Sequence, residues 1–462
     1  MKQQPKPCRL LLPAALLALA AACGGGSTGG TAVSPSTTPL PPPVTVPATQ
    51  ALVAFTSTEQ TMDGFGASDG GLGSIFSGVD GDAKARFLFS TEAAVAYAGG
   101  TYPGLGLTML RIGIQPDGTA ETWSNALKAL TINPSLTVWA SPWSPAAAYK
   151  TNLSLHYGTL DPSWFEAWAD DLASFARSAQ AQGIPLRAIS SQNEPDFDLP
   201  GAQNTCLYTP EQLVAFTRVL GPKLHALVPP VQLLSPETAW WDHLALYTSA
   251  LASDGQALGQ VDIVATHDYR FQAVPASGLP GKPLWETEVC DVTNSLDPGS
   301  MGLSGTSSAL TAALWIHDAL TTGSANAFHW WWIEQDINSS LHGLLVRGLP
   351  PTKLSLVFGN YSRFVRPGYV RLDAVGSLAP NVYLSAYRNA TEGTLVVVAI
   401  NDNAGPAPLD LQLAGERLPS SLVPWVTSVT DDLAMHAAVL PQAGRFPVTL
   451  QAQSVTTLVG AP

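Results

Sequence analysis

From Gly64 onward the chain alternates short β-rich runs with amphipathic helical ones, and eight β-rich runs can be counted. They are Gly64 to Ser68, Thr108 to Ile114, Leu136 to Ser141, Arg187 to Gln192, Val231 to Pro236, Asp262 to His267, Pro283 to Val289 and Asn326 to Ile333. No other feature limits the fold as strongly. In SWFEAWADDLASFARSAQAQG, Phe165, Trp168, Leu172 and Phe175 recur at helical spacing and Gly183 supplies a stop. PEQLVAFTRVLGPKLHALV and SALTAALWIHDALTTG repeat the pattern, punctuated by Pro210 and Gly323. Strands that alternate with helices pair in parallel, and eight such units predict an α/β fold of the closed (β/α)8 TIM-barrel type.

After Pro350-Pro351 and one more helix the texture changes. GYVRLDA, NVYLSAYR, GTLVVVAIND and FPVTLQAQSVTTLVG are alternating strands with short turns. They predict an all-β side domain, a β-sandwich, joined by a strand over Leu52 to Thr56 that precedes the barrel. The expected organisation is an N-terminal strand over 51–62, a barrel over 63–358 and the side domain over 359–462.

The first fifty residues carry no fold. Lys2, Lys6 and Arg9 precede the apolar run Leu10 to Ala22, which is too short to span a membrane and reads as a signal peptide over 1–22. Leu19-Ala20-Ala21-Ala22-Cys23 resembles the lipobox of bacterial lipoproteins, in which the Cys is lipidated and becomes the new N-terminus. The Gly/Ser/Thr/Pro tract over 23–50 cannot bury a core and reads as a tether. The expected product is an exported bacterial protein, extracellular or an outer-membrane or periplasm-facing lipoprotein, touching a membrane only through a lipid on Cys23.

The remaining residues, about 410 in number, suffice for a barrel and a smaller domain. Only 12% of residues are charged and the net charge is -13, which argues against a polyanionic partner and hence against nucleic acid. The 13 Trp and 11 Tyr suit stacking on sugar faces as well as core packing. Two cysteines remain beyond Cys23, Cys206 and Cys290, and an even pair in an exported chain predicts one disulfide. No CxxC, HExxH or His-rich cluster occurs, so neither a metal site nor a cofactor is indicated, and a monomer is expected.

In a (β/α)8 barrel the chemistry sits where strands end. Strand four ends in Asn193-Glu194 and strand seven in Glu286-Thr287-Glu288, 94 residues on from Glu194 to Glu288. A carboxyl pair facing across a barrel axis is what glycoside hydrolysis needs: one protonates the leaving oxygen, the other attacks the anomeric carbon or activates water. Strand alternation puts Glu286 and Glu288 on one face, so spacing does not choose between them. Arg111 on strand two is placed to keep a carboxylate ionised, and His267 and Tyr269 after strand six to donate to one. Trp143 in SPWSP, with Trp330 and Trp331 in HWWW, would supply aromatic platforms.

Taken together, DGFGASDGG, GLGLTMLRIGI, WASPWSPAAAYK, SQNEPDF, ATHDY, LWETEV and YSRFVRPGYVRL resemble glycoside hydrolase family 30, particularly its bacterial xylanase-like members. The resemblance runs collinearly from about Thr61 to the C-terminus. It implies a barrel fused to a side β-structure built from both chain ends. It also implies that Glu288 is the nucleophile, that Glu194 is the acid/base, and that Asn193 contacts the sugar beside the scissile bond. Glucuronate-dependent xylanases of the family carry an Arg and a Tyr just beyond the strand-eight tryptophans, where this chain has Glu334-Gln335-Asp336-Ile337. Two acidic groups there would repel a uronate.

The expectation is a retaining endo-β-glycanase on a plant-type polysaccharide, β-1,4-xylan first, without dependence on a uronate branch. A β-1,6-galactanase, a β-1,6-glucanase or an exo-β-glycosidase are alternatives on the same scaffold. An inactive carbohydrate-binding surface lipoprotein is the alternative of another class, and the presence of both glutamates argues against it.

Overall fold

The computed structural model describes residues 49–71, 73–198, 203–275, 278–291, 297–303, 308–336 and 343–462. The expected signal peptide, lipidation site Cys23 and tether lie outside the described residues, the last two tether positions excepted. Eight parallel strands close into a barrel: Gly64–Ser68, Met109–Ile114, Thr137–Pro142, Leu186–Ser190, Gln232–Thr238, Ile263–His267, Leu284–Val289 and Ala327–Trp332, numbered one to eight. Strand eight pairs with strand one and completes the ring.

Both faces of these strands are buried, which is why they read as apolar runs. Outward-facing Leu110, Ile112, Val138, Ala140, Ile189, Leu233 and Val264 join the core shared with the helices. The helix Phe165–Ala181 meets it with Phe165, Trp168, Leu172 and Phe175, all buried. The helix Pro210–His225 starts where its sequence says it should, with Pro210 in its first turn and a capping box between Thr209 and Gln212.

Inward-facing side chains form layers. The lower layer is an apolar plug of Met109, Trp139, Ala188, Leu234, Ile263, Ala265, Trp285 and Ala327. Trp139 and Trp285 fill it edge to face at 5.9 Å. Gly66 leaves the room: a Cβ there would sit 2.6 Å from the Met109 carbonyl and 2.8 Å from the His329 ring. Above the plug, toward the strand C-termini, the inward residues turn polar.

One connection departs from the eightfold alternation. Among the described residues no helix lies between strands six and seven, because DYRFQAVPASGLPGK is interrupted by Pro275, Gly278, Pro280 and Gly281. The helix after strand eight, Lys353–Ser362, runs past residue 358, and the first strand of the side domain's C-terminal part begins at Val370.

The side domain is a nine-stranded sheet with its own apolar core. The N-terminal strand Thr49–Thr61 lies inside that sheet, antiparallel to Val370–Ser377 and parallel to Ala407–Ala414. No helix of the described residues is long and apolar enough to cross a membrane.

Candidate functional site

Strand four delivers Asn193 and Glu194 through a pinned turn. The Asn193 amide donates to the Pro142 carbonyl of strand three and the Glu194 amide to the Glu237 carbonyl of strand five, each at 2.9 Å. Glu194 adopts a left-handed backbone with φ 49°. For a non-glycine residue that conformation costs about 1–3 kcal/mol and persists only where the surroundings enforce it.

Strand seven delivers Glu288 through a β-bulge. Trp285 pairs with Ala265, both in the inner plug, and Glu286 pairs with Thr266 on the outside. Glu288, not Thr287, then pairs with His267, so Thr287 is the extra residue. The register toward strand eight slips over the same segment. Strict alternation would leave both glutamates on the helix-facing side. The bulge turns Glu288 alone inward, so the two do not share a face as period-two spacing implies. Glu286 stays in the wall, with its carboxyl accepting the Glu288 amide at 3.1 Å and the His329 amide at 3.0 Å.

Arg111, fully buried on strand two, ties the site together. Its guanidinium donates to Glu288, to Asn193 and, at 2.8 Å, to Glu237. Tyr269 donates its hydroxyl to the other Glu288 oxygen. His267 reaches Glu194 through Nδ1 at 3.1 Å and Glu237 through Nε2 at 3.3 Å, with Glu288 at 3.8 Å. Ser141 donates to Glu237 at 2.6 Å.

Glu237 is the residue that sequence reasoning misses. It stands one residue before the end of strand five in SPET, one position beyond the strand as predicted, and a lone Glu near a strand end carries no motif. A second bulge, between Leu234 and Glu237, turns it inward.

The charges are strongly interdependent. Burial works against ionisation of Glu237, but Arg111, His267 and Ser141 outweigh it and hold its carboxyl down at about 2. Burial likewise opposes a charged His267, yet Glu288, Glu194 and Glu237 raise it to about 10. The Glu194 carboxyl is raised, first by burial and then by the Glu288 charge, against the opposing pull of His267. Burial lowers His329 to about 4. It is therefore neutral, accepting from Trp139 at Nε2 and donating from Nδ1 to the Glu286 carbonyl, each at 3.0 Å.

Ligand atoms of Glu194, His267 and Glu288 lie within 4.8 Å of one another, dimensions that fit a metal ion. The donor chemistry does not fit one, because an imidazolium has no lone pair to give and Arg111 already pairs with Glu288.

Aromatic walls flank the cluster. Trp143 and Trp331, both half-buried, meet at 5.4 Å and lie over Arg111 at 4.6 and 5.4 Å. Trp330 is not a platform: it is fully buried, facing the helices, stacked on Trp315 at 6.1 Å. Alternation within strand eight sends it outward.

Cys206 and Cys290 are free, buried thiols, so the expected disulfide is not formed. Cys206 lies beside Lys150 and Tyr208 in the loops after strands three and four, whereas Cys290 lies beside Tyr269 at the end of strand seven. The acidic pair after strand eight is also not free to repel a ligand. Glu334 is buried, bonded to Lys84 and to Arg347 at 3.2 Å, and Asp336 lies 3.8 Å from Arg347. Ile337 lies outside the described residues.

No protein-family model matches the chain. Glucuronoxylanase XynC of Bacillus subtilis strain 168 is 29% identical over 402 residues, 83% of this chain and 88% of that protein. The crystal structure of Xyn30A from Clostridium acetobutylicum, a glycoside hydrolase family 30 subfamily 8 xylanase, is 30% identical with a TM-score of 0.75, covering 89% of this chain and 100% of the other. A family 30 endoxylanase from Clostridium papyrosolvens C71 is 27% identical with a TM-score of 0.72, over 89% and 100%.

Proposed function

The chain belongs to glycoside hydrolase family 30, and from that premise we propose that it is a retaining endo-β-1,4-xylanase with Glu288 as nucleophile and Glu194 as acid/base. The observation that carries the reading is the short gap between the two: a carboxylate oxygen of each lies within 4.8 Å of the other. Retaining enzymes hold their carboxyls about 5–5.5 Å apart, whereas inverting ones leave about 6.5–9.5 Å for a water.

The environments divide the roles. Glu288 accepts from Arg111 and Tyr269 and keeps an anionic oxygen for the anomeric carbon. Glu194, with its raised pKa, keeps the proton that the leaving oxygen needs. Arg111 and His267 supply two positive charges, and Glu237 and Glu288 balance them. When Glu288 becomes a glycosyl ester and Glu194 gives up its proton, the negative charge has moved from one carboxyl to the other. The cluster's net charge is unchanged, and His267 remains in contact with the new anion. Glu194 then takes a proton from the water that cleaves the ester. Asn193, oriented by Arg111, is placed to bind the sugar next to the scissile bond, and Trp143 and Trp331 to stack on it.

Xylan as substrate rests on the xylanase and glucuronoxylanase relatives. Independence of a uronate branch rests on Arg347, the more exposed of the two cations beside Glu334, whose charge is already taken up by Glu334 and Asp336. The N-terminal 22 residues are read as an export signal, with a lipid anchor at Cys23. The organisation into an N-terminal strand, barrel and side domain near 51–62, 63–358 and 359–462 is retained as a proposal.

Proton NMR of the first product from xylan tests the mechanism, and product mapping on glucuronoxylan tests the specificity. The expected outcome is retention of the anomeric configuration and oligosaccharides with no branch at a fixed position. An inverted anomer overturns the mechanism; a ladder of uniformly branched products overturns the specificity.

A further inference from the structure

The bulge at Thr287 frees two backbone amides, those of Glu288 and His329, inside a wall sealed from water. Glu286 fills that notch. One oxygen accepts the Glu288 amide at 3.1 Å and the other the His329 amide at 3.0 Å, and its own carbonyl accepts the His329 ring at 3.0 Å. The side chain is fully buried and lies outside the substrate-facing cluster.

We propose that Glu286 is the positioning residue of the nucleophile, a carboxyl bracket that holds the strand-seven bulge and so keeps Glu288 turned toward Arg111 and the barrel axis. The inference rests on the reading of Glu288 as nucleophile. Its physical basis is the cost of the alternative. An unpaired buried amide is strongly disfavoured, and the simplest way to pair both amides without Glu286 is to slide the strand into regular register. That slip would exchange Thr287 for Glu288 on the inner face. A bidentate contact to two amides on adjacent strands requires a group with two oxygens, which a carboxyl supplies and a side-chain amide does not. Burial raises the Glu286 pKa well above the usual carboxyl range, so the bracket rests on the placement of its two oxygens and not on a negative charge.

The test compares Glu286→Leu and Glu286→Gln with the parent enzyme, measuring kcat and KM on xylan and the rate at which a 2-deoxy-2-fluoro xylobiosyl inactivator labels Glu288. Glu286→Leu removes both acceptors. It is expected to lower kcat by about 10²-fold, as a displacement near 1 Å does, with labelling slowed in parallel and KM nearly unchanged. Glu286→Gln keeps the shape and one acceptor but turns a donor toward the second amide, so a smaller loss in the same direction is expected. In the parent enzyme the Glu288 and His329 amides should resist hydrogen exchange. Parental kcat and labelling rate in both variants overturn the proposal, and if the Leu variant does not fold, a fully active Gln variant overturns it alone. Labelling of a residue other than Glu288 in the parent would instead refute the nucleophile assignment.

Discussion

Glu194 and Glu288 draw on one pool of positive charge, and the pool is one charge short. Arg111 and His267 carry two positive charges and face three carboxyls, of which Glu237 is held ionised by its contacts with both. The surplus carboxyl is the one raised by burial and by its neighbour's charge, Glu194. Because its raised pKa belongs to the proposed proton donor, activity is expected to be full below that pKa and to fall as pH rises through it. Removing the proposed proton donor should separate the two chemical steps. Glu194→Ala should lose activity on xylan, keep glycosylation by aryl glycosides with good leaving groups, and recover turnover when azide replaces the water that needs a base. The same variant should lack the basic limb in its glycosylation profile. A pH–rate profile of kcat/KM with an unchanged basic limb would assign that limb to another group. At this scale Glu194 was picked out by its Asn-Glu-Pro at a strand end, whereas spacing left Glu286 and Glu288 open and only the family resemblance chose Glu288. Glu237 was not legible, since its role arises only when a bulge brings it under Arg111.

At the scale of elements, the eight strands were readable because a parallel strand buried on both sides must be an uninterrupted apolar run, and the helices Phe165–Ala181, Pro210–His225 and Ala309–Thr321 because their apolar spacing is helical. The bulges were not readable. Each is a mismatch between two strands distant in sequence, such as Glu288 against His267, and one strand's own residues do not reveal it. The interval between strands six and seven, which holds no helix among the described residues, was visible in principle as a Pro- and Gly-rich stretch. Strand eight shows how much one residue of phase decides: Trp330 is packed on Trp315 while Trp331 meets Trp143 above Arg111. The two alanine variants should therefore behave oppositely. Trp330→Ala empties a buried site and should cost about 3–5 kcal/mol of stability, with KM unchanged. Trp331→Ala should leave the melting temperature nearly unchanged and raise KM roughly 2- to 10-fold, from the ~0.5–1.5 kcal/mol that an aromatic contact adds beyond burial. Thermal melts and xylan kinetics of both proteins check it, and equal effects on KM would mean that the indole facing the substrate has been misassigned.

At the scale of the whole molecule, the first described strand, Thr49–Thr61, and the C-terminal strands meet in one sheet. The sequence shows the C-terminal strands as alternating runs with short turns, and the N-terminal strand, Thr49–Thr61, extends past both ends of the β-rich run over residues 52–56. Its extension is set by partners more than 300 residues away, which no local pattern encodes. Gln50 pairs with Ser377 and Val53 with Ala374, and on the other edge Thr49 pairs with Leu409 and Ala54 with Ala414. Ala51, Val53 and Phe55 point into the side-domain core. Gln60 then donates to the Leu320 and Ala325 carbonyls at 2.7 and 3.0 Å, which fastens the strand to the barrel helix Ala309–Thr321 and the turn beyond it. Burying a Val or Phe side chain is worth about 1.5–3 kcal/mol each, and deleting this strand would also strip ladder partners from strands on both sides. Against a total stability of about 5–15 kcal/mol, that loss is enough to unfold the domain. A chain beginning at Thr49 should therefore melt at the same temperature as one carrying the preceding 48 residues, whereas a chain beginning at Met62 should not yield a stable fold, although every proposed catalytic residue is still present. Expression and calorimetry of the two truncations decide it: an active, cooperatively melting protein that starts at Met62 would show that the barrel stands without the strand that joins the two parts of its companion sheet.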